Sequence, residues 1–220
     1  MKSISRQLAE LDTTLIMVSE AEYSGGSAID WSAFNSGGVE CEVGEFLYGL
    51  VRMTKPKYIL ETGTHHGIGA SYMGLGCKAN GFGEVHTLEF LPENHAIARN
   101  RFKKLDIERY IVGSLQDVAE YEPEFKYDII LLDTEPQTRF KELLQFYENL
   151  NEGGYLFIHD LHRHMHQIDV TDHEFAWPYG EIPKEMAELV TKGKLRPFHF
   201  STPRGFTGFY KVSKDDYNWK

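Results

Sequence analysis

Two short stretches of this 220-residue chain hold most of the side chains able to do chemistry. The first is "YILETGTHHGIGASY", residues 58–72, in which Glu61 precedes Gly63, Thr64, His65 and Gly67, with Gly69 and Ser71 just beyond. Glycines at this spacing allow a tight turn without Cβ atoms and open a helix N-terminus to a polar ligand. The second is "HDLHRHMHQIDVTDH", residues 159–173, which carries five of the ten histidines: His159, His162, His164, His166 and His173. Imidazoles at that density suit a general base, a metal ligand or a substrate contact, and a solvated polar loop is the plainer reading for some of them. Glu89 closes "VHTLEF" twenty-six residues after Gly63, where an acid can accept hydrogen bonds from both hydroxyls of a ribose. Asp133 closes "YDIILLD", and Asp160 follows "GYLFIH" directly.

These residues need a scaffold that brings strand ends to one rim. Strand-like apolar runs occur at 58–60, 84–90, 110–113, 127–133 and 154–160, with helical patterns between them in "GASYMGLGCKAN", "ENHAIARNRFKKL", "LQDVAEY" and "TRFKELLQFYENL". The run Ile129-Ile130-Leu131-Leu132 is apolar on both faces, as in a parallel strand covered by helices on each side. Such alternation predicts a doubly wound α/β fold with right-handed crossovers and a site at the carboxyl ends of the strands. After a helix near "EIPKEMAELVTKG" come "RPFHFST" and "FTGFYKV", separated only by Pro203-Arg204-Gly205. Three residues are too few for a parallel crossover, so these two strands form an antiparallel hairpin. The expected sheet has seven strands, mainly parallel, closed by that hairpin. Before it, residues 3–19 and 39–54 read as helices, joined by a Gly- and Ser-rich loop carrying Tyr23, Trp31 and Phe34 that suits a cover over a site.

Composition sets bounds on the partners. A 41% apolar and 25% charged chain is ordinary for a globular protein, and residues 1–220 are read as one domain, with 1–56 as N-terminal helices and lid and 57–220 as the core. The net charge of −10 and the lack of a basic stripe argue against nucleic acid. Two cysteines are too few for a disulfide framework, no apolar run is long enough for a membrane, and the N-terminus reads as an amphipathic helix; a cytoplasmic protein is expected.

The glycine turn has two readings. Thr62-Gly63-x-x-x-Gly67-Ile68-Gly69 matches the turn of short-chain dehydrogenases, which also need Tyr-x-x-x-Lys; Tyr210 and Lys214 have that spacing but lie on an apparent final strand close to the end of the sequence. Glu61 before the turn, Asp133 after its strand and the closing hairpin favour the other reading. From "GEFLYGLVRMTKPKYILETGTHHG" through "LEF", "YDIILLD" and "LNEGGYLFIHD", the chain resembles the class I S-adenosylmethionine-dependent methyltransferases, whose fold is Rossmann-like. Within them it is similar to the small-molecule O-methyltransferases related to catechol O-methyltransferase, over roughly residues 40–212.

The resemblance implies S-adenosylmethionine as cofactor and a small hydroxylated molecule as acceptor, and by the same family likeness a homodimer. It places Gly63, Thr64, His65 and Gly67 around the methionine portion, Glu89 at the ribose and Ser114 beside the adenine. By its position beside the turn, Glu61 can order the backbone amides or face the cofactor's ammonium, with a cap on the following helix as its plainer reading, and Asp133 is a further candidate for that ammonium. Ser71 is the candidate for a serine contact that the family has at the position of Gly69. In the metal-dependent branch an Asp and an Asp-Asn pair hold a divalent ion; Asp133 and Asp160 match the two carboxylates, but Leu161 stands in the place of the Asn. The two carboxylates suit magnesium or manganese, and His162 is the substitute third ligand, which would shift the preference toward manganese, iron or zinc. The competing reading leaves Asp133 to the cofactor's ammonium alone and Asp160 to a cap or structural pair. The family's catalytic lysine is replaced by Pro136, which leaves His159 or His162 as the base. Arg139 is available to an acidic acceptor and Arg204 could reach the side of the sheet where the acceptor wall is expected, against plainer readings as a solvated helix start and a turn arginine. Trp177, Pro178 and Tyr179, with the lid aromatics, are candidates for the acceptor wall. A metal-dependent enzyme of other chemistry on this fold is the alternative, and a nicotinamide-dependent dehydrogenase the more remote one.

Overall fold

The computed structural model describes residues 2–19, 31–34, 37–135, 138–160, 184–200, 202 and 204–217. Their main sheet has seven strands and is mixed, mostly parallel with an antiparallel end, so the doubly wound fold class is as the sequence predicts. The chain divides into two compact units, Met1–Tyr121 and Glu122–Lys220.

In the first unit, α1 (Ile4–Leu11) starts at Ser3, whose side chain accepts the Arg6 amide. It is half as long as the apolar spacing of residues 3–19 predicts. Asp12 stops it: its carboxylate turns back to accept both the amide and the hydroxyl of Thr14, a local turn that competes with the helix. A short ribbon, β1 (Val18–Ser19) and β2 (Ser32–Ala33), precedes α2 (Cys41–Thr54), which ends with Lys55 in the left-handed region before Pro56. Then β3 (Tyr58–Thr62), α3 (Ile68–Asn80), β4 (Glu84–Glu89), α4 (Pro92–Lys104) and β5 (Ile111–Leu115) alternate. The strands are parallel in the order β5-β4-β3, with Thr62 opposite Leu88 and Glu89 opposite Leu115. This register puts the carboxyl ends of all three on one rim. The helix predicted over 115–121 is only a 3-10 turn at Val118–Glu120, because Asp117 caps Ala119 and releases the chain at once.

In the second unit, β6 (Tyr127–Leu132), α5 (Arg139–Phe146), β7 (Leu150–His159), α6 (Lys184–Thr191), β8 (Leu195–Phe200) and β9 (Phe206–Lys211) follow in turn. Their order is β6-β7-β9-β8, with β6 and β7 parallel and β9 antiparallel to both neighbours. The hairpin thus inserts its second strand beside β7. β7 starts earlier than the apolar run predicts, and its pairing with β6 slips between Tyr127 and Ile129. Gly153 (φ +78°) and Gly154 make that slip; a Cβ on Gly154 would lie 2.9 Å from the carbonyl oxygens of Asn151 and Asp128. Rings from three strands fill the core of this unit, with Phe157 stacked on Phe206 at 5.0 Å and edge-on to Phe198 at 5.9 Å. No helix among the described residues is long and apolar enough to cross a membrane.

Candidate functional site

In the first unit the candidate site is the turn between β3 and α3. The amides of Gly63 and Thr64 both donate to Leu88 O, which ties the turn to the end of β4. Gly63 and Gly67 sit in the left-handed region, at φ 78° and 75°. Only glycine fits at 67: besides its φ, a Cβ there would stand 2.7 Å from the ring of Phe102. Gly67 is the N-cap of α3 and no side chain caps this helix. The amides of its first turn therefore have no side-chain cap, and such a helix end is a natural seat for a carboxylate or phosphate.

Beneath the turn runs a buried hydroxyl chain. Thr87 donates to Glu61, and Thr87 has one hydrogen, so the Thr64 hydroxyl must donate to Thr87. Glu61 is buried and its carboxylate thus braces β4; the helix cap, the plain alternative for this residue, is not what it forms. Glu89 is also buried, with Oε2 accepting the His65 amide at 2.7 Å and Oε1 accepting the Leu91 amide at 2.9 Å. Each oxygen keeps a second lone pair for an incoming hydroxyl. Ser114 lies on β5 opposite Leu88, one residue before the Leu115 that faces Glu89 across the ladder. Ser71 is wholly buried and its hydroxyl donates to Gly67 O, so its hydrogen is used inside α3. His65 and His66 stack at 3.9 Å, and burial, with His65 and Arg101 nearby, pushes the His66 imidazole below its ordinary value. His65 Nδ1 is buried without a hydrogen-bond partner among the described residues.

Three contributors escaped sequence reasoning. Arg101 of α4 is buried and donates to His66 O, fixing the carbonyl that follows the paired glycine-turn residues. Its signal was an arginine on the same helical face as the buried Ala98 and Phe102. Phe90 and Leu115 stand exposed immediately beside Glu89 and Ser114, large apolar groups left at a strand rim.

A separate cluster lies wholly in the second unit. Asp133 follows β6, His159 ends β7 and Asp160 follows it, and one ligand atom from each falls within 4.8 Å of the others. His159 Nδ1 is 3.0 Å from Asp133 Oδ1 and 3.3 Å from Asp160 Oδ1. Carboxylates only accept, so Nδ1 carries the hydrogen and Nε2 is the basic nitrogen unless the ring is doubly protonated. His162, the other histidine chosen from the sequence, lies outside the described residues, as do His164, His166, His173, Pro136, Tyr23 and the Trp177-Pro178-Tyr179 segment.

Arg139 and Arg204 correct the plain readings of a solvated helix start and a turn arginine, since both are buried. Arg139 donates to Asp160 Oδ2 at 3.1 Å, to Asp133 Oδ1 at 3.3 Å, and to the carbonyls of Thr134 and His159. Arg204 donates to Asp160 Oδ2 at 3.0 Å, with its Nε 2.7 Å from Oδ1. Burial pushes the Asp160 carboxyl up, but His159 and the two guanidiniums outweigh it and hold it well below the usual carboxylate range. The dehydrogenase pair takes no such form. Tyr210 donates to Asp216 at 2.8 Å and burial, with that bond, pushes its hydroxyl up to about 12, away from a proton donor's need.

Residues 60–161 match a protein-family profile described as a methyltransferase domain. Over those residues the chain is similar to that family. A protein of Mycobacterium sp. (strain KMS), named provisionally as an O-methyltransferase, is 29% identical over 136 residues, 60% of each chain. The chain thus aligns with about 60% of the length of the curated relatives it matches first. An O-methyltransferase from Bacillus cereus, solved with S-adenosylhomocysteine, superposes with a TM-score of 0.63 at 16% identity, covering 96% of this chain and 98% of that one. One from Streptomyces achromogenes, involved in tomaymycin synthesis and solved with S-adenosylmethionine, gives 0.66 at 12% identity over 97% and 91%. At these identities the superpositions establish the fold. The matched residues start on β3 and end just beyond β7.

Proposed function

We propose that this protein is an S-adenosylmethionine-dependent O-methyltransferase of a small hydroxylated molecule, acting in the cytoplasm. The observation that carries the reading is Glu89 at the turn: a buried carboxylate at the end of β4, held by two backbone amides and adjoining an uncapped helix N-terminus. A ribose-bearing cofactor with a free carboxylate fits that arrangement, and the antiparallel β9 within the sheet favours the methyltransferase over the dehydrogenase.

In this reading Gly63, Thr64, His65 and Gly67 surround the methionine portion, Glu89 accepts the ribose hydroxyls, and Ser114 with Phe90 and Leu115 borders the adenine. Glu61 supports the turn through Thr87 and Thr64, and Asp133 stands for the ammonium. The bond from sulfonium sulfur to methyl carbon breaks as the bond to the acceptor oxygen forms. The electron pair stays on sulfur, giving S-adenosylhomocysteine, and the hydroxyl proton passes to a base. Candidates for that base are His159, through Nε2, and His162. Most of the work is positioning donor and acceptor in line.

Calorimetric titration with S-adenosylhomocysteine and, separately, with NAD tests the proposal. One site for S-adenosylhomocysteine and no response to NAD is the expected result. Binding of NAD alone would overturn it.

A further inference from the structure

The resemblance to cation-dependent O-methyltransferases calls for a divalent ion at Asp133 and Asp160, and the donor set does not fit one. Three donor atoms do converge there, which is the arrangement a metal would use. Their carboxylates, however, already pair with cations. Asp160 Oδ2 accepts from Arg139 and Arg204, Arg204 Nε lies 2.7 Å from Asp160 Oδ1, and Asp133 Oδ1 meets Arg139 and His159. His159 Nδ1, the only nitrogen of the set, already shares a hydrogen bond with Asp133 Oδ1 at 3.0 Å, whereas a metal-bound nitrogen carries no hydrogen. Two carboxylates and two guanidiniums sum to zero charge before any ion arrives. A divalent ion would add two further positive charges to a cluster in which Asp160, Arg139 and Arg204 are all buried. Two departures in the sequence agree. Leu161 replaces the amide ligand of the family's pattern, and Pro136 replaces its lysine.

We propose that Arg139 and Arg204 take over the charge of the divalent cation, so that this protein's strand-end acid cluster holds no metal. The inference rests on the methyltransferase reading for its meaning and deepens it. An ion in this place gathers two neighbouring substrate oxygens and acidifies one. Without it the acceptor needs only one hydroxyl, acidic on its own account, and a lone phenol suits the site as well as a catechol. Arg139 and Arg204 are spent on Asp133, Asp160 and backbone carbonyls, so they hold the cluster together and do not bind the acceptor.

The test uses the full chain, freed of metal by chelator, titrated with Mn2+ by calorimetry and by the paramagnetic resonance signal of the free ion. No saturable binding tighter than about 1 mM is expected. One-to-one binding that Asp160→Asn abolishes would overturn the proposal, and because the whole chain is used, any contribution of His162 is included. Arg204→Gln, verified to melt cooperatively, is expected to gain saturable Mn2+ binding. A folded Arg204→Gln protein that still binds none would show that the arginine is not what keeps the ion out, and the proposal falls. If that variant does not fold, the wild-type titration decides alone. S-adenosylhomocysteine is titrated into the same metal-free sample. Its failure to bind would sink the cofactor reading while leaving the manganese result to stand by itself.

Discussion

Glu89 is the residue on which the cofactor reading turns, and its surroundings say how much it should matter. Both oxygens are anchored by backbone amides, which fixes the carboxylate before any ligand arrives. A fixed, charged acceptor gives a stronger hydrogen bond than a mobile or neutral one, about 1.5–3 kcal/mol each. Glu89→Gln keeps the shape but loses the charge, and its amide hydrogens would face one of the two anchoring N–H groups. The variant is expected to bind S-adenosylhomocysteine about 10- to 100-fold more weakly by calorimetry. Affinity within twofold of wild type would remove Glu89 from the site. Ser71 makes the contrast: with its hydroxyl used on Gly67 O and no exposure, it has little left to offer a ligand.

Among the elements, α1 and α4 show why a helix can stop where its apolar spacing continues. Asp12 ends α1 and accepts from Arg101 at 3.0 Å and Lys104 at 2.8 Å on α4, while Arg101 also holds the carbonyl of His66 in the turn. Burial pushes the Asp12 carboxyl up, but Lys104, Thr14 and Arg101 together outweigh it and hold it well below the usual range. A folded-state pKa below the unfolded one means stability that is present above about pH 4 and lost as pH falls through the lowered value. Asp12→Asn leaves Arg101 buried without its charge partner and should destabilise the protein by about 3 kcal/mol at neutral pH. In urea unfolding at a series of pH values, the gap between variant and wild type should narrow below about pH 4. A gap independent of pH would mean that the ion pair contributes nothing. Long-range pairs of this kind are what the sequence leaves unreadable. The strands, the hairpin and the glycine turn follow from local patterns: period, length and turn residues. Asp12 meeting Arg101, or Asp160 meeting Arg139 and Arg204, depends on packing between segments far apart in the chain. Arg204 therefore read as a turn arginine, though it is buried against an acid. Thr87 was equally silent, one polar residue in a strand buried along most of its length.

For the whole molecule, the two cysteines report on opening rather than on chemistry. Cys41 of α2 and Cys77 of α3 are both buried and unpaired by disulfide. Burial pushes the Cys41 thiol up to about 11 and the Cys77 thiol up to about 12. The nucleophile is the thiolate, so at pH 8 both native thiols are protonated as well as shielded, whereas an unfolded chain has thiols near the ordinary value of about 8.5. Reaction with Ellman's reagent at pH 8 is then expected to be negligible in the native protein and complete in urea. At intermediate urea its rate should follow the population of opened protein. Because α2 packs on α3 within the first unit, both thiols should become reactive together if that unit opens as one body. Prompt reaction of one thiol in the native protein would instead identify a local opening of the helix that carries it, and with it a weak point beside the cofactor turn.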